Sequence, residues 1–247
     1  MLSRRMMVAG GALTAGLGLA GCGGPGSGTA HLRFKVIARA RLGGGDYEGF
    51  AVNEMKAIYT PNTLSGFKMG RTLKMEATVL DFKGNADSLF ILLTDYLEVI
   101  LRLWEIAPSP GSADETTIPK LRTASGRQEF SWRKAPPGMD YDDAVKINVL
   151  SGLFPKIAAF RDEGDPASVY EVNPDNLAKT HGTAAKFLGL SIEIVDPDIP
   201  LTDSIEQKLP WLDIDSNKRL LQPPAYISDE SAELGQRITP VAFKNWR

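Results

Sequence analysis

The chain has 247 residues, of which 43% are hydrophobic and 23% charged, and its formal net charge at pH 7 is −2. This composition is ordinary for a globular protein and argues against intrinsic disorder, while the lack of a basic excess argues against a nucleic-acid partner. The sequence holds a single cysteine, which excludes an intramolecular disulfide. Stability must therefore come from a packed core.

The first 22 residues have the pattern of a bacterial export signal. Arg4 and Arg5 form a positively charged start, and an uncharged stretch follows over residues 8–20. As a helix this stretch would be about 20 Å long, too short for the ~30 Å hydrocarbon core of a bilayer. It therefore fits a signal peptide better than a membrane-spanning anchor. The alternative is an apolar N-terminal helix that ends in a free thiol.

The end of this segment, Leu19-Ala20-Gly21-Cys22, resembles the lipobox of bacterial lipoproteins. The resemblance implies that residues 1–21 are a signal peptide and that Cys22 becomes the acylated first residue, held on a membrane by its lipid (typically including palmitate). The two arginines also resemble a twin-arginine signal, so two export routes stay open. Gly23, in place of the Asp that retains lipoproteins at the cell membrane, favours the outer membrane. In either location the domain would face the periplasm.

The residues after Cys22 predict a tether followed by a β-rich region. Residues 22–30 are expected to hold the lipidated cysteine and a flexible Gly-rich linker. Apolar residues then alternate over 31–42, a Gly-rich turn follows, and residues 47–59 read as the returning strand. Residues 72–82 alternate again, and 89–93 form a short apolar run. Together they predict an antiparallel meander of about four strands.

A basic stripe lies on the polar face of the first predicted strand. Its members are Arg33, Lys35, Arg39 and Arg41. The stripe could meet acidic lipid headgroups or an anionic ligand. The simpler interpretation is a solvated face whose charges pair across the sheet with Glu48, Glu54 and Glu76.

The rest of the chain predicts an α+β domain with few and short helices. Residues 95–106 have helical spacing with Asp95 as the N-cap, whereas 107–137 form a long irregular connection. Residues 140–153 are ambiguous, and their alternation favours a strand from Ala144 onward. Further strands are expected at 156–160, 169–172 and 186–195, and short helices at 175–181 and 202–212, the latter with Thr202 as its N-cap.

The second half resembles a group of small uncharacterised proteobacterial proteins that end in a shared sequence block. The block is carried here by Phe160, Asp162, Asp165-Pro166, Ser168-Val169, Val172, Pro174, Leu177, Gly182, Ile192, Ile194, Thr202, Ile205-Glu206 and Leu209-Pro210-Trp211-Leu212. A strand motif of the group's first half is matched loosely by Gly70, Glu76, Ala77 and Asp81, so the resemblance covers roughly residues 32–212, and it brings no activity with it. It implies one globular domain over residues 31–212, followed by an irregular C-terminal extension over 213–247.

Residue patterns for catalysis or metal binding are weak in this sequence. We predict no catalytic residue, no metal ligand and no cofactor. His31 and His181 have no partner at metal-ligand spacing, and His181 suits the end of a short helix before Gly182. A loose calcium site of Asp196, Asp198, Asp213 and Asp215 is an alternative to ordinary acidic turns.

The sequence thus predicts a location more firmly than a molecular activity. We expect a lipid-anchored cell-envelope protein that acts as a non-catalytic binding or accessory module, with the membrane and another envelope protein as partners. The alternative is an envelope hydrolase whose Asp, Glu and His residues come together only in the folded chain. A carboxyl group with a raised pKa in a deep pocket beside His181 would favour the hydrolase. An exposed apolar surface would favour the binding module.

Overall fold

The computed structural model of the chain describes residues 28–62, 66–106, 116–213, 220 and 234–246. The predicted alternation produces three long strands, β1 (Gly28–Leu42), β2 (Gly45–Asn62) and β3 (Gly66–Glu76). They pair as an antiparallel meander, with Gly43 and Gly44 at positive φ in the first turn. β1 starts inside the segment that we expected to be linker, because Gly28, Thr29 and Ala30 pair with the end of β2.

Three later strands complete a six-stranded antiparallel sheet. They are β6 (Gly126–Phe130), β9 (Lys186–Val195) and β10 (Lys244–Trp246). The strand order is β10-β3-β2-β1-β9-β6. β9 has the predicted bounds and pairs with β1, so two long strands that are far apart in the sequence lie side by side in this sheet. One sheet therefore contains strands from both halves of the chain.

A second sheet contains the strands β4 (Thr78–Leu80), β5 (Leu89–Ile91), β7 (Ile157–Phe160) and β8 (Val169–Val172), in that order. We expected β3 and β4 to be one strand and β5 to continue the meander. Instead the chain leaves the first sheet at Ala77, whose amide donates to the carbonyl of Phe243 (2.7 Å). The confirmed fold class is thus β-rich α+β, with the predicted fourth strand in a separate sheet.

The helices are short and lie outside the two sheets. They are α1 (Tyr96–Leu103), α2 (Thr117–Thr123), α3 (Tyr141–Leu153), α4 (Ala178–His181), α5 (Ile205–Lys208) and α6 (Leu234–Arg237). α1 begins as predicted, because the Asp95 side chain accepts a hydrogen bond from the Glu98 amide. Among the described residues, no helix has the length and apolar character needed to cross a membrane.

The strand predicted from Ala144 is wrong, because residues 141–153 form α3. Asp140 caps this helix by accepting from the Asp142 amide (3.0 Å), and its carbonyl accepts from the Ala144 amide (2.9 Å). The alternation of β-branched residues over 145–149 has no counterpart in burial, since none of the helix residues is fully buried. The acidic first turn, which favours a helix N-terminus, therefore decided the local structure.

The second sheet is covered on both faces by hydrophobic cores. Leu89, Ile91, Ile157 and Ala159 join the larger core, which the inner face of the first sheet and α1 also line. The alternate residues Phe90, Ala158 and Phe160 join a smaller core on the other side. Both faces of these short strands are buried, which explains why their sequences do not alternate between apolar and polar residues.

The described part of the C-terminal extension belongs to the fold. Phe243 is fully buried in the smaller core, beside Trp211 and Phe160. Leu234 and Ile238 enter the same core, and β10 pairs with the edge of β3. Residues 234–246 are therefore packed against the domain, whereas we expected an irregular extension here.

Candidate functional site

The predicted lipidation site lies outside the described residues. This holds for Arg4, Arg5, Leu19, Ala20, Gly21 and Cys22, since the description starts at Gly28. The lipid anchor therefore stays a prediction from the sequence.

The basic stripe on β1 is a row of paired charges. Arg33 forms an ion pair with Glu54, as predicted. Burial alone would raise the pKa of Glu54, but the hydrogen bonds and charges of Arg33 and His31 lower it overall. Arg39 pairs with Glu129 (2.9 Å), and Lys35 lies 5.2 Å from the centre of the Phe50 ring.

Arg41, the last residue of the stripe, has a local partner, whereas Glu76 lies away from the stripe. Arg41 pairs with Asp46 (2.6 Å) in the adjacent turn. Glu76, which we expected across the sheet from the stripe, is buried at the end of β3 instead. The stripe is thus largely neutralised by local partners, which weakens its interpretation as a site for an anion.

His181, at the end of α4, is buried. Its ring nitrogens hydrogen-bond to Thr180 Oγ1 (2.8 Å) and to the Asp87 carbonyl (3.0 Å), and the ring packs edge-on against Phe82. Burial lowers the pKa of this imidazole. Gly182 follows at φ +94° and ends the helix as predicted. Since both nitrogens are engaged inside the protein, the ring fastens α4 to the loop before β5.

A polar cluster lies beside His181 around the carboxylate of Asp87. This carboxylate accepts from Tyr170 (2.7 Å) and Arg161 (3.1 Å), and the guanidinium lies 4.2 Å from the centre of the Tyr170 ring. Burial and the hydrogen bond to Asp87 raise the pKa of Tyr170. These contacts join β7 and β8 to the loop before β5. With its proton held more tightly than in water, Tyr170 is poorly matched to proton transfer at neutral pH.

Among the described carboxyl groups, Glu76 is the one whose pKa is raised, and burial is the main cause. Its carboxylate accepts from the amides of Ser204 (3.1 Å) and Ile205 (3.3 Å). These partners differ from those of His181, so the pairing that would favour a hydrolase is not formed by these two groups. Glu76 instead caps α5, taking the place of the predicted cap Thr202, whose hydroxyl accepts from the Val52 amide (2.6 Å).

The possible calcium ligands form an acidic turn in their described part. Asp196 accepts from the amide of Asp198 (2.8 Å), which closes a local turn. Asp215 lies outside the described residues. In the portion of the chain that the structure covers, no three His, Cys, Asp or Glu side chains are grouped to hold a metal ion.

The clearest exposed apolar surface is formed by α3 and the residue before its cap. The side chain of Tyr141 is 78% exposed, that of Val145 42% and that of Met139 37%. Tyr141 and Val145 are four residues apart and therefore share one face of the helix. The opposite face lies on the domain, where Leu150 and Leu153 pack against the larger core. We call Met139, Tyr141 and Val145 the α3 surface.

A cavity of about 420 Å³ adjoins the α3 surface at the C-terminal end of α1. It is lined by Arg102, Glu105, Asp142, Asp143, Val145 and Lys146. Arg102 is buried and paired with Glu98 (2.6 Å) one turn earlier on α1. Lys146 is paired with Glu105 across the cavity.

Besides Glu105, two acidic residues line this cavity. Asp142 and Asp143 lie in the first turn of α3, and among the described side chains neither forms an ion pair. The α3 surface therefore combines exposed apolar side chains with an acidic edge. Sequence reasoning missed it because the strand prediction hid the four-residue spacing of Tyr141 and Val145. The acidic start of this segment was the sequence feature that pointed to the helix.

Three comparisons with known proteins bear on this chain. No protein-family model, curated protein or solved structure matches it.

Proposed function

We propose that the chain is a lipid-anchored cell-envelope protein whose domain acts by binding another envelope protein through the α3 surface. The observation that carries the binding role is the exposure of Tyr141 and Val145 on a helix that the domain covers on one side only. Large apolar side chains that share an exposed face are typical of protein-interaction surfaces. The anchoring role is supported by the lipobox-like residues that end at Cys22.

The charge of the surface indicates what the partner presents. Asp142 and Asp143 add two negative charges beside the exposed apolar residues, while the charges of Arg102 and Lys146 are already paired. A partner segment with an apolar side chain flanked by Lys or Arg would complement this arrangement. The apolar side chain would enter the cavity, and the basic groups would meet the two aspartates.

The binding role can be tested by photocrosslinking in intact cells. A photoreactive phenylalanine at position 141 should form a discrete adduct with a second protein, whereas the same residue at position 50, another exposed aromatic site, should not. Asp142→Asn with Asp143→Asn should reduce the adduct, and Val145→Asp should abolish it. An adduct of twice the mass of the chain would contradict the proposal by identifying a second copy, and equal labelling from both positions would contradict it too.

The lipid anchor needs a separate test. Cys22→Ser should abolish incorporation of labelled palmitate and leave an unprocessed precursor, because the sulfur that accepts the diacylglyceryl group is gone. Ser27→Ala, a substitution in the Gly-rich stretch that follows, serves as the control and should be processed normally. Normal processing and membrane retention of the Cys22 variant would refute the anchor.

A further inference from the structure

One edge of the six-stranded sheet is formed by β6, which has a neighbouring strand on one side only. Its five residues pair with β9, and in the described part of the chain its backbone hydrogen-bonds to no other segment. Its first four residues are exposed, and Phe130 at its end is buried. Alternate N–H and C=O groups along an edge strand point away from the sheet, so β6 offers them to a further strand.

We propose that this further strand is β6 of a second copy of the chain, which joins two six-stranded sheets edge to edge. Antiparallel pairing of two identical strands has a twofold axis, which we place at Gln128. Arg127 of one copy then lies opposite Glu129 of the other, and the symmetry forms this pair twice. Opposite charges at directly opposed positions of an antiparallel pair are favourable.

The same two charges select this register over its neighbours. An axis at Arg127 would place two arginines opposite each other, and an axis at Glu129 would do the same with two glutamates. Like charges directly opposite each other destabilise a strand pair. The alternation of sign along β6 is therefore self-complementary in the register centred on Gln128, whereas an edge strand with charges of one sign would repel its own copy.

Both charges are available for this pairing. Arg127 is exposed and forms no ion pair with any described side chain, not even with Glu193, its neighbour on β9. The side chain of Glu129 is 65% exposed, and its Oε1 accepts from Arg39 (2.9 Å). Its Oε2 has no hydrogen-bond partner among the residues that the structure covers. A second copy supplies a partner to each group.

The contact is short, so we expect a weak and reversible dimer. The five residue pairs extend over about 17 Å, at about 3.4 Å per residue. Small interfaces of this kind belong to weak associations, which are best detected by trapping the two copies covalently. The edge shares no residue with the α3 surface, so the inference is independent of the partner proposed above.

Disulfide trapping in membranes that carry the full chain tests the pairing. Gln128→Cys places two cysteines opposite each other, and directly opposed Cα atoms are about 4.5–5.5 Å apart, within the range that a disulfide spans. Because Gln128 is exposed, the substitution leaves the core unchanged. Copper–phenanthroline in air should convert this variant to a dimer of twice the mass of the chain.

Two controls define the background of this experiment. The unsubstituted chain contains Cys22 as its single cysteine and reports any cross-link formed there. Glu171→Cys places an exposed cysteine on β8, an edge strand of the second sheet, where Arg237 of α6 is already the partner of Glu171. Neither control should give a dimer band of comparable intensity.

Charge variants in the Gln128→Cys background test the register. Arg127→Glu alone and Glu129→Arg alone should each lower the dimer fraction several-fold, because both create like-charge pairs. Co-expressed with different tags, the two variants should cross-link to each other, since every glutamate then faces an arginine again. A loss caused by damage to the fold would not be restored by mixing.

Three results would overturn the inference. The first is a folded Gln128→Cys variant that stays monomeric under oxidation. The second is a disulfide adduct of this cysteine with a different protein, which would identify another strand as the occupant of the edge. The third is a set of charge variants that dimerise as well as their parent, or that fail to form the mixed dimer.

Discussion

Glu76 is the residue at which burial and hydrogen bonding act most clearly against each other. Its side chain is 2% exposed, and burial disfavours the charged form. The amides of Ser204 and Ile205 favour the charged form, because α5 has no side-chain cap of its own. Burial prevails, so the pKa of Glu76 lies above its usual value of 4.5. The carboxyl group thus completes a helix that is distant in sequence.

This balance predicts a pH dependence of stability. Because its pKa is raised in the folded state, protonated Glu76 stabilises the fold at pH values below about 4.5, and this contribution is lost as the pH rises through the raised pKa. Glu76→Gln keeps an acceptor oxygen without the charge and should flatten this part of the pH profile. Glu76→Ala should cost about 1–3 kcal/mol, since it leaves the buried amide of Ile205 and the amide of Ser204 without their acceptor.

Urea unfolding between pH 4 and 8, followed by tryptophan fluorescence, measures these effects. Glu206→Gln is a suitable control, because this exposed carboxylate lies on the same short helix and pairs with Lys244 at the surface. If the Gln variant at position 76 keeps the wild-type slope, the carboxyl group is not the source of the pH dependence.

His181 illustrates what can be predicted about a single residue from its sequence position. Its place at the end of α4, before Gly182, was evident from the pattern and is confirmed. Its burial against Phe82 was not, because that contact depends on a loop about a hundred residues earlier in the chain. Local chemistry fixed the helix end, whereas the environment of the ring depends on tertiary packing.

At the scale of elements, β2 crosses the second sheet very closely at Gly49. A Cβ atom added there would lie 2.0 Å from the carbonyl oxygen of Val79 in β4. The two sheets could not pack at this spacing with any other residue, because the obstructing atoms belong to the backbone. The approach of the sheets therefore depends on one missing side chain.

Gly49→Ala should destabilise the protein by at least about 1–3 kcal/mol, because two backbones would have to separate. Gly152→Ala is the matched control. That residue lies in α3 with nothing within 4 Å of the added methyl group, and the substitution should stabilise by about 0.5–1 kcal/mol. Chemical denaturation of both variants gives the two signs. Equal effects would mean that the sheets do not meet at Gly49.

Elements with one buried face were predictable from the sequence, and the others were not. β1 alternates because only its inner face is buried, and β9 was placed with its observed bounds. The short strands of the second sheet have both faces covered, as in β7. The sequence therefore shows no apolar–polar alternation that would assign them to a separate sheet. For α3 the alternation of residue types was misleading, and the exposure of Tyr141 depends on which side of the helix meets the domain.

At the scale of the whole molecule, the first and the last described strands occupy different positions in the fold. The N-terminal strand β1 forms the centre of the large sheet, between β2 and β9. Residues 234–246 cover the outer side of the second sheet, and β10 within this segment pairs with β3 of the six-stranded sheet. The second sheet is therefore an inner layer, and the smaller core is incomplete without the C-terminus.

This arrangement predicts a large effect for one residue near the C-terminus. Phe243 is fully buried and contacts Phe90, Phe160 and Trp211 at ring-centre distances of 5.7–6.2 Å. Phe243→Ala removes the ring and leaves the carbonyl that accepts from Ala77, so it tests the side chain alone. We expect a loss of about 3–5 kcal/mol of unfolding free energy.

Phe50→Ala provides the comparison, because the ring of Phe50 is 52% exposed and contributes little burial. It should change the free energy of unfolding by less than about 0.5 kcal/mol. Thermal and urea unfolding of both variants measure the difference, with Trp211 as a fluorescent reporter of the smaller core. Similar, small effects at the two positions would show that the C-terminal residues do not close this core. A large difference would instead establish that the folded domain extends past residue 212.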